Sequence, residues 1–194
     1  MNIDKRRTKT KDKIIELTIL EIKNKGYANI SIRDITSKLA LSPSTFYNHF
    51  DSKQSLLDQT LYEVSEIVFR QYTFRFKQDY KGESPIDEVV FFVNEILNQF
   101  NVNKNLMDFL FFSPTALISF SKSVKNPAHR ILNESYRLLN KLKEFYNLKI
   151  DLDTFHIKCW AFFDGYVLLV SSNILVHDTK LLYDMLYSIM DVTK

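Results

Sequence analysis

Apolar residues recur along most of this chain at intervals of three and four positions, which is the period of an α-helix buried on one side. The first such stretch begins near Thr10 and is marked by Ile14, Leu17 and Ile22. It ends at Gly26, because glycine takes the left-handed conformation that commonly follows the last turn of a helix. The pattern therefore predicts a first helix of about four turns.

Two further helix starts follow closely. Ser31 and Asp34 form a capping box, which predicts a second helix running to about Leu39. Ser42 is a good N-cap and Pro43 suits the first helical position, so a third helix begins there. The next capping signal is Asp51 with Gln54, which leaves room for only about two turns between the two starts.

The short third helix, residues 42–50, has two unlike faces. Phe46 and Phe50 lie four apart on an apolar face. The remaining face is polar and carries Ser44, Thr45, Tyr47, Asn48 and His49. Two helices, a tight turn and a short polar helix form the helix-turn-helix arrangement, whose last helix fits a major groove about 12 Å wide. An ordinary connecting helix that faces water is the alternative, and spacing alone favours neither.

Helical periodicity continues to the end of the chain, with only 3 Gly and 4 Pro among 194 residues. The predicted helices are Lys53 to Tyr80, Ser84 to Phe100, Lys104 to Phe112, Pro114 to Val124, Pro127 to Tyr146, Asp151 to His177 and Thr179 to Val192. We therefore expect an all-α protein of about nine or ten helices. A three-helix head, residues 1–52, precedes a C-terminal helical bundle, residues 53–194.

The net charge of +3 is unevenly distributed. Residues 1–53 hold 11 Lys and Arg against 6 Asp and Glu, a net charge of +5, and the remainder carries −2. Much of the positive charge lies at the start, on Lys5, Arg6, Arg7, Lys9, Lys11 and Lys13. Such a density suits phosphate, and it equally suits a solvated terminus.

Several classes of protein are disfavoured. Cys159 is the only cysteine and no signal-peptide pattern opens the chain, so we expect a cytoplasmic protein. The longest apolar run, Leu106 to Phe120, contains Asp108 and Pro114 and is too short to span a membrane. The four histidines have no ligand spacing, and neither a phosphate loop nor a nucleophile elbow is present. We expect no metal, no cofactor and no enzymatic activity.

A family resemblance favours DNA binding. The segments GY at 26–27, SIRDI at 31–35, LS at 41–42 and FYNHFDSK at 46–53, with Leu56, resemble the signature of the TetR family of bacterial transcriptional regulators. The resemblance covers residues 9–57. It departs from the family at Leu39-Ala40, where Ala-Gly is usual, at Ser44, where Gly is frequent, and at Thr36, where Ala is common. Ala40 must then accept the backbone of the turn, at some cost if its φ is positive.

The resemblance assigns roles to individual residues. It implies that Ser31 faces a phosphate with Arg33 close to the groove, and that Pro43, Ser44 and Thr45 contact base edges. It further implies that Tyr47 and His49 hold phosphates and that Lys53 adds a cation. Asn48 reads adenine only if it points into the groove and is otherwise a solvated amide.

The C-terminal region is rich in aromatic residues, which suits an ordinary core or a binding cavity. C-terminal bundles of the resembled family commonly enclose a small-molecule cavity, so the resemblance favours a lipophilic or planar ligand. The candidate lining residues are Phe109, Phe112, Phe120 and Trp160.

The last two long helices carry apolar stripes that suggest a partner surface. The stripes consist of Phe155, Phe162, Tyr166 and Leu169, then Leu182, Met185, Leu186 and Ile189. A two-fold dimer through these helices would require a palindromic operator. The expected function is a nucleoid-associated, ligand-responsive repressor. The nearest alternative keeps the DNA-binding head but gives the C-terminal region a protein partner or an architectural role, without an effector. A helical lipid carrier or enzyme is a third reading.

Overall fold

The computed structural model describes residues 3–122 and 128–191, with side chains for residues 9–118 and 128–191. All regular structure in these ranges is helical, which confirms the predicted fold class. The helices are α1 (Ile3–Lys25), α2 (Ile32–Lys38), α3 (Pro43–Tyr47), α4 (Lys53–Asp79), α5 (Pro85–Val102), α6 (Lys104–Phe112), α7 (Pro114–Lys122), α8 (Arg130–Phe145), α9 (Leu152–Ser171) and α10 (Thr179–Met190).

The helix ends follow local chemistry. Asn103, Asp151 and Asp178 cap α6, α9 and α10, each by accepting a hydrogen bond from a backbone N–H in the first turn. Helix α9 stops earlier than its predicted end near His177, because Asn173 adopts a left-handed φ of 58°. Its N–H and that of the next residue close the last turn onto carbonyls of α9, which is a Schellman ending.

The chain divides into two compact units. The first comprises Met1–Ile67 with Asn103–Val124, of which the described residues are 3–67 and 103–122. The second comprises Val68–Val102 with Lys125–Lys194, described over 68–102 and 128–191. Helix α4 contributes residues to both units. The functional division between residues 52 and 53 stays a prediction.

The first unit is built on the apolar stripes of α1 to α4. Its fully buried centre consists of Ile14, Ile15, Ile35, Phe46, Phe50 and Leu56. Helix α6 joins this unit because the Asn105 side chain donates to the Lys23 carbonyl at 3.0 Å and the Phe109 ring lies 6.0 Å from that of Tyr27. Helix α7 packs on α6, so both helices are structural parts of the first unit. Each large buried side chain stabilises such a fold by about 1.5–3 kcal/mol.

The second unit is centred on α5, which packs against α8, α9 and α10. Its core includes Val89, Val93, Ile96, Leu138, Leu142, Leu182 and Leu186. Glu88 is buried on α5 and is paired with Lys141 and Arg137 of α8. Among the described residues, no helix is both long enough and apolar enough to cross a lipid bilayer.

Candidate nucleic-acid interface

The turn between α2 and α3 has the geometry of a helix-turn-helix. Ala40 adopts a left-handed φ of 52°. This conformation is strained for a residue with a Cβ, which is the cost that the sequence led us to expect here. The N–H groups of Ala40 and Leu41 close α2 onto the carbonyls of Ser37 and Thr36, at 3.1 and 2.9 Å. The chain then enters α3 through Ser42, whose side chain accepts the Thr45 N–H at 3.1 Å.

Helix α3 is short because its last turn tightens. The helical segment proper is Pro43–Tyr47. Backbone hydrogen bonds from His49 and Phe50 to the Phe46 carbonyl, at 2.9 and 3.1 Å, add one more helical turn that ends at Phe50. Phe46 and Phe50 are fully buried, with ring centroids 5.4 Å apart. The two rings hold the predicted inner face against the unit.

The outer face of α3 is solvent-accessible. Pro43, Ser44 and Asn48 are exposed, and Tyr47 exposes 54% of its surface. Thr45 is half-buried, and its hydroxyl lies 2.8 Å from the Ser42 hydroxyl. His49 is also half-buried. The structure therefore places these predicted base-contacting and phosphate-contacting residues along one short helix and the turn that follows it.

Cationic residues flank this helix within the first unit. Arg33 is exposed on α2, and Lys53 is half-buried as the first residue of α4. Lys9 and Lys13 are exposed on α1, whereas the Lys11 ammonium lies 5.8 Å from the Phe50 ring centroid. The side chains of Lys5, Arg6 and Arg7 lie outside the described residues. The roles of all these residues in DNA binding remain predictions.

The N-cap of α4 differs from the sequence expectation. Ser52, not Asp51, accepts the first-turn hydrogen bond, from the Ser55 N–H at 3.0 Å. The Gln54 amide, expected to complete a capping box, instead contacts Asp58 at 2.8 Å and Thr115 of α7 at 3.1 Å. Gln54 therefore links α4 to α7 within the first unit. Serine and aspartate are both good N-caps, so the neighbouring Ser52 can take the role that was expected of Asp51.

A buried carboxylate was missed from the sequence. Glu21 exposes only 5% of its surface, and its carboxylate pairs with Lys38 of α2 and with Lys25 of α1. Lys25 also reaches Asp34, with 3.3 Å between the nitrogen and the carboxylate oxygen. The Lys38 hydrogen bond is the main reason that the pKa of Glu21 lies below its ordinary value, although burial opposes it. This group of charges fixes α2 against α1. Its only signal in the sequence is a glutamate beside Ile22 on the buried stripe.

The residues predicted to line a ligand cavity fall in both units. Phe109 and Phe112 lie on α6 in the first unit, where Phe109 is fully buried and Phe112 is half-buried. Trp160 is half-buried on α9 in the second unit, with its ring 5.6 Å from that of His156. The Phe120 side chain lies outside the described residues. The assignment of these four residues to a ligand site stays a prediction.

The predicted partner stripes need a correction. Phe155, Tyr166, Leu182 and Leu186 are buried within the second unit and belong to its core. Phe162, Met185 and Ile189 are half-buried, and Leu169 is exposed. The four buried residues therefore do not face a partner, because α9 and α10 pack on α5, which the spacing within a single helix does not reveal. Exposed apolar residues on α9 lie instead at Ile157, Leu168 and Leu169.

The other candidate reactive groups are buried. Cys159 is inaccessible, and burial raises the pKa of its thiol to about 12. Burial lowers the pKa of His129 and of His156 to about 4, so both are neutral at physiological pH. Across residues 9–118 and 128–191, no three His, Cys, Asp or Glu side chains converge as metal ligands would.

Comparisons with known proteins agree with this geometry. Residues 14–60 match the family model for bacterial regulatory proteins of the tetR family. Over 51 residues the chain is 37% identical to the biofilm operon icaADBC negative transcriptional regulator IcaR of Staphylococcus aureus strain Newman. That match covers 26% of this chain and 27% of IcaR, so it spans about a quarter of the curated relatives.

Solved structures share the fold over nearly the whole length. A putative tetR family transcription regulator from Shewanella sp. PV-4 superposes with a TM-score of 0.67 at 17% identity, covering 93% of this chain and 97% of the other. The regulator FadR from Bacillus subtilis, solved in complex with stearoyl-CoA, gives a TM-score of 0.56 at 14% identity, covering 94% and 98%. The helix-turn-helix region, residues 14–60, is therefore similar to that of bacterial regulatory proteins of the tetR family, and the chain shares its overall fold with the solved structures.

Proposed function

We propose that this protein is a transcriptional repressor that binds a palindromic operator as a homodimer and is released by a small lipophilic ligand. The observation that carries the proposal is the two-sided construction of α3. Phe46 and Phe50 are fixed in the core, and Pro43, Ser44 and Tyr47 stand on the accessible side. A helix of this kind presents its first residues to base edges in the major groove.

The roles within the interface follow from side-chain chemistry. The exposed Ser44 hydroxyl and the Pro43 ring suit base edges and a thymine methyl, and Thr45 contributes its methyl group while its hydroxyl stays near Ser42. Tyr47 and Lys53 suit phosphates on either side of the groove. Repression is supported by the match to IcaR, which is a negative regulator.

A homodimer is supported by one face of α9. Ile157, Ala161, Gly165 and Leu168 are exposed and follow the helical spacing of a single stripe. Small residues at the middle of such a stripe let two helices approach closely. A two-fold contact through this face would supply two heads, as a palindromic operator requires.

Effector control is supported by the way α6 is attached. Within the first unit, α6 holds the C-terminal end of α1 through the hydrogen bond from Asn105 to Lys23 and the contact between Phe109 and Tyr27. A ligand that displaces Phe109 or Phe112 would therefore disturb the base of the DNA-binding region. To act as an inducer, the ligand must bind the released state more tightly, and DNA must weaken ligand binding by the same factor. FadR, which shares the fold, was solved with stearoyl-CoA.

The test begins with selection of bound sites from fragmented genomic DNA of the source organism, followed by fluorescence-anisotropy titration of the strongest site. We expect a palindromic sequence and a stoichiometry of one dimer per site. The variant Tyr47→Ala should weaken binding at least tenfold. A matched control, Tyr62→Ala, removes a half-buried tyrosine of α4 that is not assigned to the interface and should bind as the wild type does. An asymmetric site, or equal affinity of the Tyr47 variant, would contradict the proposal.

A second candidate keeps the DNA-binding function but has no effector. It is favoured by Phe109, which is fully buried and packs as an ordinary core residue. Native mass spectrometry of the protein purified under mild conditions separates the two. Bound lipophilic molecules that are lost on adding operator support the inducer, and a ligand-free dimer whose DNA affinity no lipophile alters supports the alternative.

A further inference from the structure

A cleft of about 440 Å³ lies entirely within the second unit, and its lining includes none of the residues that we assign to DNA or effector binding. It is formed by the segment from Tyr80 to Glu83, the first half of α5 and the start of α10. Its volume falls within the range of small-molecule sites, about 300–1,000 Å³. The walls combine aromatic rings with carboxylates.

The aromatic wall is rigidly packed. Tyr80 stacks on Phe76 with 4.5 Å between centroids, and Phe91 meets Tyr80 edge-on at 5.6 Å and Phe76 at 5.7 Å. The Tyr80 hydroxyl donates to the Ser84 carbonyl at 3.2 Å, which fixes the ring at its outer end. The rings of Tyr80 and Phe91 therefore form a preorganised surface along one side of the cleft.

The negative charge of the cleft comes mainly from the carboxylate of Asp87. Its carboxylate accepts hydrogen bonds from the Tyr183 hydroxyl at 2.7 Å, the Ser84 hydroxyl at 2.8 Å, and the backbone N–H groups of Glu83 and Ser84 at 3.0 Å. Burial alone would raise the pKa of Asp87, but these donors outweigh it and keep the pKa below the ordinary value. Asp87 is thus a fixed negative charge. Glu83 adds a second carboxylate to the lining, and Lys81 supplies one positive charge.

Two further features show that the lining is tightly packed. Gly82 lies so close to its neighbours that a Cβ added there would be 2.3 Å from the Asp87 Cβ and 2.8 Å from the Tyr80 ring. Any larger residue would push the segment out of place. Asn94, also in the lining, has a buried amide oxygen with no hydrogen-bond partner among the described residues. This oxygen is inaccessible to solvent, so the Asn94 side chain is held within the packed wall of the cleft.

We propose that this cleft binds a small arylalkylammonium ion, with the ammonium near Asp87 and Glu83 and the ring packed on Tyr80 and Phe91. A cation next to aromatic faces gains from the ring quadrupole as well as from the carboxylates. This site goes beyond the proposed repressor function, because it requires neither operator nor dimer.

The test is a titration of the full-length protein with three probes of equal shape and different charge: phenethylamine, 2-phenylethanol and phenylacetate. Isothermal titration calorimetry or ligand-observed NMR gives each Kd in the absence of DNA. We expect saturable binding of phenethylamine, at least tenfold tighter than that of the alcohol, and weaker binding still of the acid. Equal binding of amine and alcohol, preference for the acid, or no saturable binding of phenethylamine would overturn the proposal.

Paired variants assign the binding to the cleft. Glu83→Gln removes one charge from an exposed lining residue and should weaken phenethylamine binding several-fold, whereas Glu144→Gln removes a charge from an exposed part of α8 and should not. Thr179→Trp fills the cleft from an exposed position on its rim and should abolish binding. Unchanged affinity in both cleft variants, with folding verified by circular dichroism, would place any binding elsewhere and refute the site. Because operator binding is measured separately, failure here leaves the proposed function intact.

Discussion

Lys38 on α2 donates a hydrogen bond to the carboxylate of Glu21 on α1, which is almost completely buried. Lys25 contacts the same carboxylate at 3.2 Å. A buried charge with two partners is far less costly than an unpaired one. The pair therefore joins the first two helices at a defined angle, and the position of α3 depends on α2.

Replacing Glu21 by Gln should destabilise the protein by about 1–2 kcal/mol, because two lysines lose a charged partner, although their partial exposure reduces the effect. Urea denaturation followed by circular dichroism gives the free energy of unfolding. Glu16→Gln, at an exposed position of the same helix, is the matched control and should change stability by less than about 0.5 kcal/mol. Equal stability of the two variants would show that the Glu21 contacts are not stabilising.

The contribution of the Glu21 carboxylate to folding stability should be lost in acid. Lys38 lowers the pKa of Glu21 in the folded protein below its ordinary value of 4.5. The contribution is therefore complete above pH 4.5 and is lost as the pH falls through the lower, folded-state pKa. The stability difference between wild type and Glu21→Gln should be constant from pH 7 to about pH 5 and should narrow below that. A difference that grows on acidification would contradict the assigned direction of the shift.

Local signals in the sequence predicted the helices well, since caps and apolar stripes depend on neighbouring residues. Ser31, Ser42 and Asp151 cap as expected, and α6 has its predicted bounds. Contacts between distant residues were not predictable. The burial of Glu21 against Lys38 and the use of Tyr166 as a core residue depend on how helices pack, which periodicity within one helix does not reveal.

Ala40→Gly should stabilise the protein. Ala40 has a φ of 52° and is exposed, so glycine relieves backbone strain there and loses no packing. The gain should be about 0.5–1 kcal/mol, because the strain relieved exceeds the added freedom of the unfolded chain. Ser37→Gly, in the last turn of α2 just before this turn, should instead destabilise by about 0.5 kcal/mol. A loss of stability in the Ala40 variant would mean that its left-handed conformation carries no strain.

Lys53→Ala should weaken operator binding and flatten its salt dependence. If Lys53 contacts a phosphate, each head loses one released counterion, and the slope of log Kd against log salt should decrease by about 2 for a dimer. Fluorescence anisotropy at several salt concentrations measures the slope. Lys149→Ala, which removes an exposed lysine of the second unit, is the control and should leave the slope unchanged. An unchanged slope for Lys53→Ala would remove that residue from the phosphate-binding set.

Ser44→Ala should act on sequence preference more than on overall affinity. If the exposed Ser44 hydroxyl contacts a base edge, as we propose, its loss should remove discrimination at one base pair per half-site. Single base substitutions across the operator each reduce the binding free energy, and this loss can be compared between the wild type and Ser44→Ala. At one symmetric pair of positions the loss should be smaller in the variant by about 1 kcal/mol or more. A uniform loss across all positions would instead indicate that Ser44 contacts the backbone.

Leu168→Asp should separate the proposed dimer. Leu168 exposes 46% of its surface on the α9 face that also carries Ile157, Ala161 and Gly165. An aspartate buried between two copies would face the same aspartate of the partner with no cation nearby. The dissociation constant of the dimer, measured by analytical ultracentrifugation, should therefore rise at least tenfold. Val176→Asp, at an 86% exposed position beyond α9, is the control and should remain dimeric. The Leu168 variant should still bind a single half-site weakly, because its first unit is unchanged. If it stays dimeric, α9 does not form the contact through this face, and another surface must hold the two copies together.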